Sequence, residues 1–439
     1  MKNLIRKRCY YAAEIILHSP LSISSGMNEY TDSDVLVNGE GEPFVPGTSL
    51  AGAMRGYLGA DKKTDGLFGF SDGEDGRMSP LSVSDLYFVP DHKAVVSVRD
   101  GVQLDGQKHV QNKFDMEIVE TGAKGILYLN YTVREKDKEA DYGMELANIF
   151  QAIQNGEIRI GANKNRGFGR LKIKTIHERI FEYKGEQEPF DIMEWIAFRK
   201  NFRNIGLYTE KKDYDEWVKK KEKALDFYVR MTVPLRLRGG ISIRRYSARP
   251  QEADFEHITC GETAEEPGKP VIPGTSWNGA IRSDIRTILR SIGKTEAQVE
   301  ELMKQWFGWV PDKGENGMAE QSMIVLGESI IEASEALPMT RNRINRFDAS
   351  TKDGGLYSEI AYFGGMTELE IMVKKDESKA YRALIGILYL VIQDIQEGYA
   401  AVGGQTAVGR GIFSADETKD IQYSEPVSIA RCLEELYSL

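Results

Sequence analysis

Cysteine is almost missing from this chain. Its 439 residues hold three, Cys9, Cys260 and Cys432, at spacings that suit neither a disulfide framework nor a structural zinc site. That usage fits a reducing cytoplasm, where we expect the protein. No apolar run approaches the ~18 residues a membrane span needs, so no membrane partner is expected. The basic N-terminus leads into a short apolar stretch interrupted by Glu14, which reads as a first strand rather than a signal peptide. An excess of positive charge is missing too. Basic residues number 57 and acidic residues 67, a net charge of -10, which is not the usual mark of a nucleic-acid binder. Hydrophobic content of 41% and charged content of 28% are those of a soluble globular chain, and the length suffices for two or three domains.

The charge is unevenly spread. Residues 228–250 carry six arginines (Arg230, Arg236, Arg238, Arg244, Arg245, Arg249) and no acid. Residues 156–174 carry six basic residues against Glu157, and Arg341, Arg343 and Arg346 follow one another with no acid between. Acids cluster elsewhere, at 72–75, 135–141 and 262–266. A charge run is commonly a solvated face. Here the basic runs adjoin repeated glycine-rich blocks, which favours a groove for a polyanion.

The repetition is the strongest signal. Residues 43–55 read PFVPGTSLAGAMR and residues 270–282 read PVIPGTSWNGAIR. Asp32 and Asp254, then Gly39 and Gly261, recur at an offset of 222; the Pro-Gly-Thr-Ser block recurs at 227; Phe68-Gly69 and Phe307-Gly308 recur at 239. Arg99 and Arg341, Glu117 and Glu359, and the triplets Gly161, Gly167, Gly169 and Gly403, Gly409, Gly411 all recur at 242. An offset that grows in small steps, with order kept, means one duplicated domain whose loops gained a few residues. We expect a first domain over 1–183, a charged helical connector over 184–226 packed through Tyr214 and Trp217, and a second domain over 227–439.

Within each copy the pattern runs strand, helix, strands, helix, strand. The first copy predicts strands at 12–17, 81–88, 125–133 and 170–176, and helices from Thr48 or Ser49 and over 142–154. The second predicts strands at 228–237 and 411–413 and helices from Thr275 or Ser276 to 292 and over 381–396, with a short amphipathic helix closing the tail. That order is α+β of the ferredoxin type, helices on one face of an antiparallel sheet. The other face, or its rim, is where such folds hold single-stranded RNA.

Three groups of residues carry candidate chemistry. The blocks GANKNRGFGR at 161–170 and GGQTAVGRG at 403–411 share G-x5-G-x-G. Such turns admit positive φ and line up amides for an anion, with Lys164, Arg166 and Arg170 adding charge beside Gly167 and Gly169, and Arg410 between Gly409 and Gly411. The same turns also serve as tight loops into a strand. The Pro-Gly-Thr-Ser blocks open helices with Thr48 and Ser49, and Thr275 and Ser276, as N-caps. Free amides there hold phosphate, within reach of Arg55 and Arg282. Equally, Gly52 and Gly279 would let a capped helix pack closely on the sheet. Finally, Asp32 and Asp254, with Asp34 and Glu256 as lesser alternatives, sit in polar loops where a carboxylate binds a divalent ion or orients a 2′-hydroxyl. A solvated loop acid is the plainer account. His257 faces Val35 in the first copy, which speaks against a histidine mechanism common to both.

Together, VPGTSLAGAMR and IPGTSWNGAIR, the arginine-led middle blocks with a late glutamate and the terminal G-x5-G-x-G blocks resemble the RAMP superfamily. Within it, two copies in one chain are similar to the fused double backbone subunits of type III, III-D-like, CRISPR effector complexes. The resemblance covers nearly the whole chain apart from the connector and tail. It implies a modified ferredoxin-like (RRM-like) core, loops that grip crRNA, and thumb hairpins at about 99–114 and 341–356. It further implies complementary target RNA cut beside each thumb by a loop aspartate, with Asp32 and Asp254 also binding Mg²⁺ or another divalent cation. Other subunits of a type III complex are the implied protein partners. RNA contacts are expected at Thr48, Ser49, Arg55, Arg99, Lys164, Arg166, Gly167, Gly169, Arg170, Arg244, Arg245, Thr275, Ser276, Arg282, Arg341, Arg343, Gly409, Arg410 and Gly411. The second copy departs from the first by extra residues at 262–267, between its acid and its helix. The alternatives are a non-catalytic RNA-binding scaffold and a guide-processing endoribonuclease.

Overall fold

The computed structural model describes residues 4–24, 31–59, 62–73, 75–88, 96–104, 110–137, 142–182, 192–218, 226–246, 253–261, 268–311 and 319–439. Contacts divide the chain into two compact units. One comprises Met1–Arg99, Phe114–Lys164 and Phe168–Asp226; the other comprises Asp100–Lys113, Asn165–Gly167 and Phe227–Leu439. No described helix is long and apolar enough to cross a membrane.

In the first unit the opening strand Ile5–Leu17 lies between Leu171–Glu182 and Lys124–Arg134, and Leu81–Val83 flanks the latter, every pairing antiparallel. In the second, Tyr228–Arg238 lies between Ile412–Ala415 and Met366–Lys374, with Ile324–Leu326 outside. Both sheets therefore have the ferredoxin-like strand order, and the two α+β domains are tandem versions of one fold. Period-two alternation explains the cores. Cys9, Tyr11, Ala13, Ile15 and Leu17 point to one face, against Leu50 and Met54 of helix Gly47–Leu58 and Ile149, Phe150 and Ile153 of helix Tyr142–Asn155. Met231, Val233, Leu235 and Leu237 do the same against Trp277, Ile281 and Ile285 of Gly274–Ser291 and Leu384, Leu388 and Val391 of Lys379–Glu397.

Two expectations are corrected. The charged stretch after residue 209 is not one helix. Glu210–Asp213 is a strand that pairs with 175–178, because an open sheet edge offers backbone partners that outweigh a weak helix preference. Tyr214–Val218 is a single turn that sinks Tyr214 and Trp217 into the core beside Tyr11 and Phe150. The connector's helix is instead Ile192–Lys200. Nor is the second sheet face of the first unit open to RNA. Tyr10, Phe181 and Phe198 form a second apolar cluster there with Trp195, Phe202, Leu207 and Tyr208. Trp195 donates to the Tyr10 hydroxyl at 2.9 Å and lies under the Arg8 guanidinium at 3.8 Å. An uncovered apolar face costs free energy in water, so the connector is folded onto it.

A hairpin also runs between the second and third strands of each ferredoxin-like sheet: Val96–Leu104 with Val110–Val119, and Glu335–Ile344 with Thr351–Phe363. Residues 105–109, within the first expected thumb, and 262–267 lie outside the described residues.

Candidate nucleic-acid interface

The glycine blocks are locked the same way in both units. Gly169 and Gly411 adopt φ of +73° and +68°, and an added Cβ would stand 1.8 Å from the carbonyl oxygens of Ile160 and Val402. Only glycine fits such a crossing. Ile160 N–H donates to Gly169 O at 3.0 Å and Gly169 N–H to Pro20 O at 2.8 Å; Val402 N–H donates to Gly411 O and Gly411 N–H to Gly240 O, both at 2.9 Å. The block is thus pinned to the loop that leaves the opening strand. Asn163 and Gln405, at equivalent places, both take left-handed φ, 53° and 58°. Lys164 and Arg166 stay exposed on this loop, and the Arg170 N–H donates to Ser19 Oγ at 3.0 Å.

The helix starts differ from expectation. Pro46 and Pro273 are the N-cap residues, whose rings carry no side-chain acceptor, and Pro46 O and Pro273 O accept from the N–H groups of Ser49 and Ser276 at 3.0 and 2.9 Å. Thr48, Ser49 and Thr275 are left exposed, and Ser276 partly so. The close-packing glycines are Gly47 and Gly274, not Gly52 and Gly279. A Cβ on Gly47 would lie 2.5 Å from Val83 O, and one on Gly274 would lie 2.9 Å from Leu326 O, whereas Gly52 and Gly279 have nothing within 4 Å. In the first unit the leading amide is taken: Gly47 N–H donates to Asp85 Oδ1 at 2.7 Å. Arg55 pairs with Asp65 at 2.8 Å. Arg282 lies over the Phe307 ring at 4.8 Å, and burial, with Arg286 nearby, holds its guanidinium below the usual range.

The two aspartates are exposed and are held by a shared device. Asp32 N–H donates to Asp115 Oδ1 and Asp115 N–H donates back to Asp32 Oδ2, both at 3.1 Å. Asp254 N–H donates to Ser358 Oγ at 3.1 Å, and Ser358 donates from its N–H (2.7 Å) and hydroxyl (3.1 Å) to Asp254 Oδ2. The Ser358 N–H, then its hydroxyl, hold the Asp254 carboxyl below the ordinary carboxylate range. In each unit the acid's loop runs beside the returning hairpin strand. Glu117 N–H donates to Ser33 O at 2.9 Å, and Phe255 pairs with Glu359 in parallel register. Asp34 and Glu256 are spoken for. Asp34 is 7% exposed and accepts from the Thr31 N–H and hydroxyl at 3.1 and 2.5 Å, while Glu256 pairs with Arg245 at 3.2 Å. Among the described residues no three His, Cys, Asp or Glu side chains gather into a metal cage. His257 uses both ring nitrogens: Nδ1 accepts from Ile243 N–H at 3.0 Å and Nε2 faces Val271 O at 3.1 Å.

The units part company in their arginines. Arg99 is 6% exposed, 3.8 Å from Glu120 and 5.7 Å over Phe168. In the second unit Arg341 and Arg244 converge on Glu359 at 3.0 and 3.1 Å. Arg410 stacks over Phe363 at 4.5 Å, and Arg343 is exposed on the hairpin. Sequence reasoning marked Glu117 and Glu359 as repeat anchors but missed what Glu359 gathers. It also missed Asp115 and Ser358, whose only trace was a place two and one residues before those anchors.

Two ferredoxin-like units, each with a projecting hairpin, a glycine-locked loop and an exposed loop acid docked on the hairpin, define a tandem-repeat α+β protein. The RAMP superfamily profile matches residues 14–172 and 234–414, and the chain belongs to that superfamily. Membership brings a CRISPR-associated, RNA-binding role. No curated protein matches the chain.

Proposed function

We propose that this chain is a crRNA-binding backbone subunit of a type III effector, a fused pair of RAMP domains that cuts complementary RNA at two sites through Asp32 and Asp254. The observation that carries the reading is the duplicated lock between each acid and its hairpin. Two unrelated loop acids would not share a reciprocal exchange with the same strand. The exposed carboxylates face solvent where RNA can approach, and each is fixed relative to the hairpin expected to part the bases. Asp32 and Asp115 offer two carboxylates, which suits Mg²⁺, an ion that takes one or two protein carboxylates and completes its shell with phosphate and water; Asp254 offers one. A bound ion would neutralise charge developing on the scissile phosphate. The aspartate's own task is to orient a 2′-hydroxyl, or hold its proton, as that oxygen attacks the adjacent phosphorus and the 5′-oxygen leaves.

The test is cleavage of labelled complementary RNA by the assembled complex with Mg²⁺. Asp32→Ala and Asp254→Ala are each expected to abolish one cut, by a factor of about 100 or more, with target binding retained. Two cuts surviving in the double variant would end the catalytic assignment. A second reading, a scaffold without catalysis, draws on the same hydrogen bonds, which dock the acid loops whether or not RNA is cut. It predicts intact target in the wild type. A guide-processing role with a histidine base finds no support in His257, whose ring is fully engaged.

A further inference from the structure

Glu359 is the most thoroughly enclosed acid among the described residues of the second unit: its side chain is 0% exposed. Stripping water from a lone carboxylate costs several kcal/mol, so its surroundings must repay that. Arg244 reaches Oε2 at 3.1 Å from the short strand Arg244–Tyr246 that follows the opening strand. Arg341 lies 3.0 Å from Oε1 on the outgoing hairpin strand, an ion pair without a directed hydrogen bond. Gln405 Nε2 donates to Oε2 at 2.8 Å from the glycine block. Three segments distant in sequence therefore meet on one anion.

The cluster is over-supplied with cations. Arg410, from the same glycine block, stacks on Phe363 at 4.5 Å and sends a nitrogen to within 3.6 Å of Met339 Sδ. Two guanidiniums thus pair with one carboxylate, and a third meets Met339, the residue opposite Glu359 in the hairpin ladder. Arg244 and Arg341 keep 33% and 30% of their side chains exposed. A guanidinium is a rigid fork with five donors, so one edge can hold Glu359 while the other faces outward. Arg244 is further fixed by the Phe255 ring, 4.5 Å away. The backbone of Gln405 is held in left-handed φ of 58°, and strain of this kind persists where the surroundings over-determine it. Among the described residues, Gln405 Oε1, Arg410 Nε and Ser242 Oγ are buried without a hydrogen-bond partner. The equivalent glutamate and its neighbours in the first unit make different contacts. Glu117 accepts from the Val35 N–H, Asn163 reaches Met116 Sδ, and Arg99 is turned to Glu120.

We infer that Glu359 is a positioning residue for RNA: it aligns Arg244 and Arg341 into a pre-formed two-pronged clamp for backbone phosphates. The inference rests on the RNA-binding reading above and deepens it. Its diagnostic consequence is one of sign. If Glu359 were only a negative charge near RNA, removing that charge would tighten binding. As a positioning residue, its removal loosens binding, because two freed arginines must be ordered when the phosphate arrives.

The experiment is anisotropy titration of the full-length chain with a labelled polyuridylate oligonucleotide over a range of salt. Glu359→Gln, shown folded by circular dichroism, is expected to weaken binding about tenfold and to shrink the slope of log K against log salt by about one phosphate contact. Unchanged or tighter binding overturns the inference. Arg244→Lys and Arg341→Lys decide the matter independently should the glutamine variant fail to fold. Lysine keeps the charge but cannot hold carboxylate and phosphate with one rigid fork, so each is expected to lose most of what the alanine variant loses. Full retention by both lysine variants overturns the inference. Wild-type protein that binds no RNA overturns the RNA-binding reading and the inference with it; wild-type binding with indifferent variants overturns the inference alone.

Discussion

His257 and Asp284 respond to acid in opposite senses. Burial, with Arg245 as a lesser cause, lowers His257 to about 4 against a backbone hydrogen bond at Val271 that favours the charged form. The unfolded chain then binds the proton first, near pH 6.5. Stability from the neutral ring is complete above that pH and drains away as the pH falls toward 4, by about 3 kcal/mol in all. We expect the urea midpoint to drop between pH 7 and pH 5, and His257→Gln to flatten the drop. Burial and the neighbouring Asp394 raise Asp284 to about 6. Here the native state holds the proton longer, so a destabilising contribution enters as pH climbs through 4 to 6. Asp284→Asn should raise the melting temperature at pH 8 but not at pH 4; the gain is on the order of 1 kcal/mol once solvent screening of a half-buried pair is allowed for. Glycines supply a sharper contrast. Gly411→Ala forces a Cβ to 1.8 Å from a carbonyl oxygen, whereas Gly409→Ala meets nothing within 4 Å. Thermal melts should show a loss of about 3 kcal/mol or more at Gly411 and about 1 kcal/mol at Gly409, where only backbone strain is added.

At the scale of elements, the duplicated strands and helices were readable because hydrophobic periodicity and a second copy reported the same core twice. Helix Tyr142–Asn155 and strand Lys124–Arg134 end within a residue or so of their expected limits. The connector was readable only in its packing through Tyr214 and Trp217; its strand and the place of its helix were not, since it has no second copy and its structure answers to a sheet edge and an open face that local sequence does not announce. The acid-to-hairpin lock was half legible: the offset of 222 marked the acids, but a bond running from residue 32 to residue 115 leaves no periodic trace. Trp217 is the connector's anchor, 3% exposed against Tyr11 and Phe150. Trp217→Ala should cost about 3–5 kcal/mol and lower the melting temperature of the whole first sheet. Phe347, 97% exposed near the turn of the second hairpin, should tolerate alanine within about 0.5 kcal/mol by the same measurement.

For the whole molecule, a net charge of -10 belongs with local basic tracts rather than against them, because a Debye length of about 8 Å lets near charges outweigh distant ones. RNA affinity should therefore fall steeply with salt despite the acidic total, a slope read from titrations at several ionic strengths. A flat dependence would mean that the arginine-rich loops do not meet phosphate. The connector has a consequence for how such a protein can be taken apart. A first repeat severed at residue 183 would bare Tyr10 and Phe181, which Phe198 and Trp195 now shelter. Greasy sheet faces of that sort find one another, so the excised half should precipitate unless the following stretch is supplied in trans. The segment that follows the first repeat is for this reason also that repeat's solubiliser.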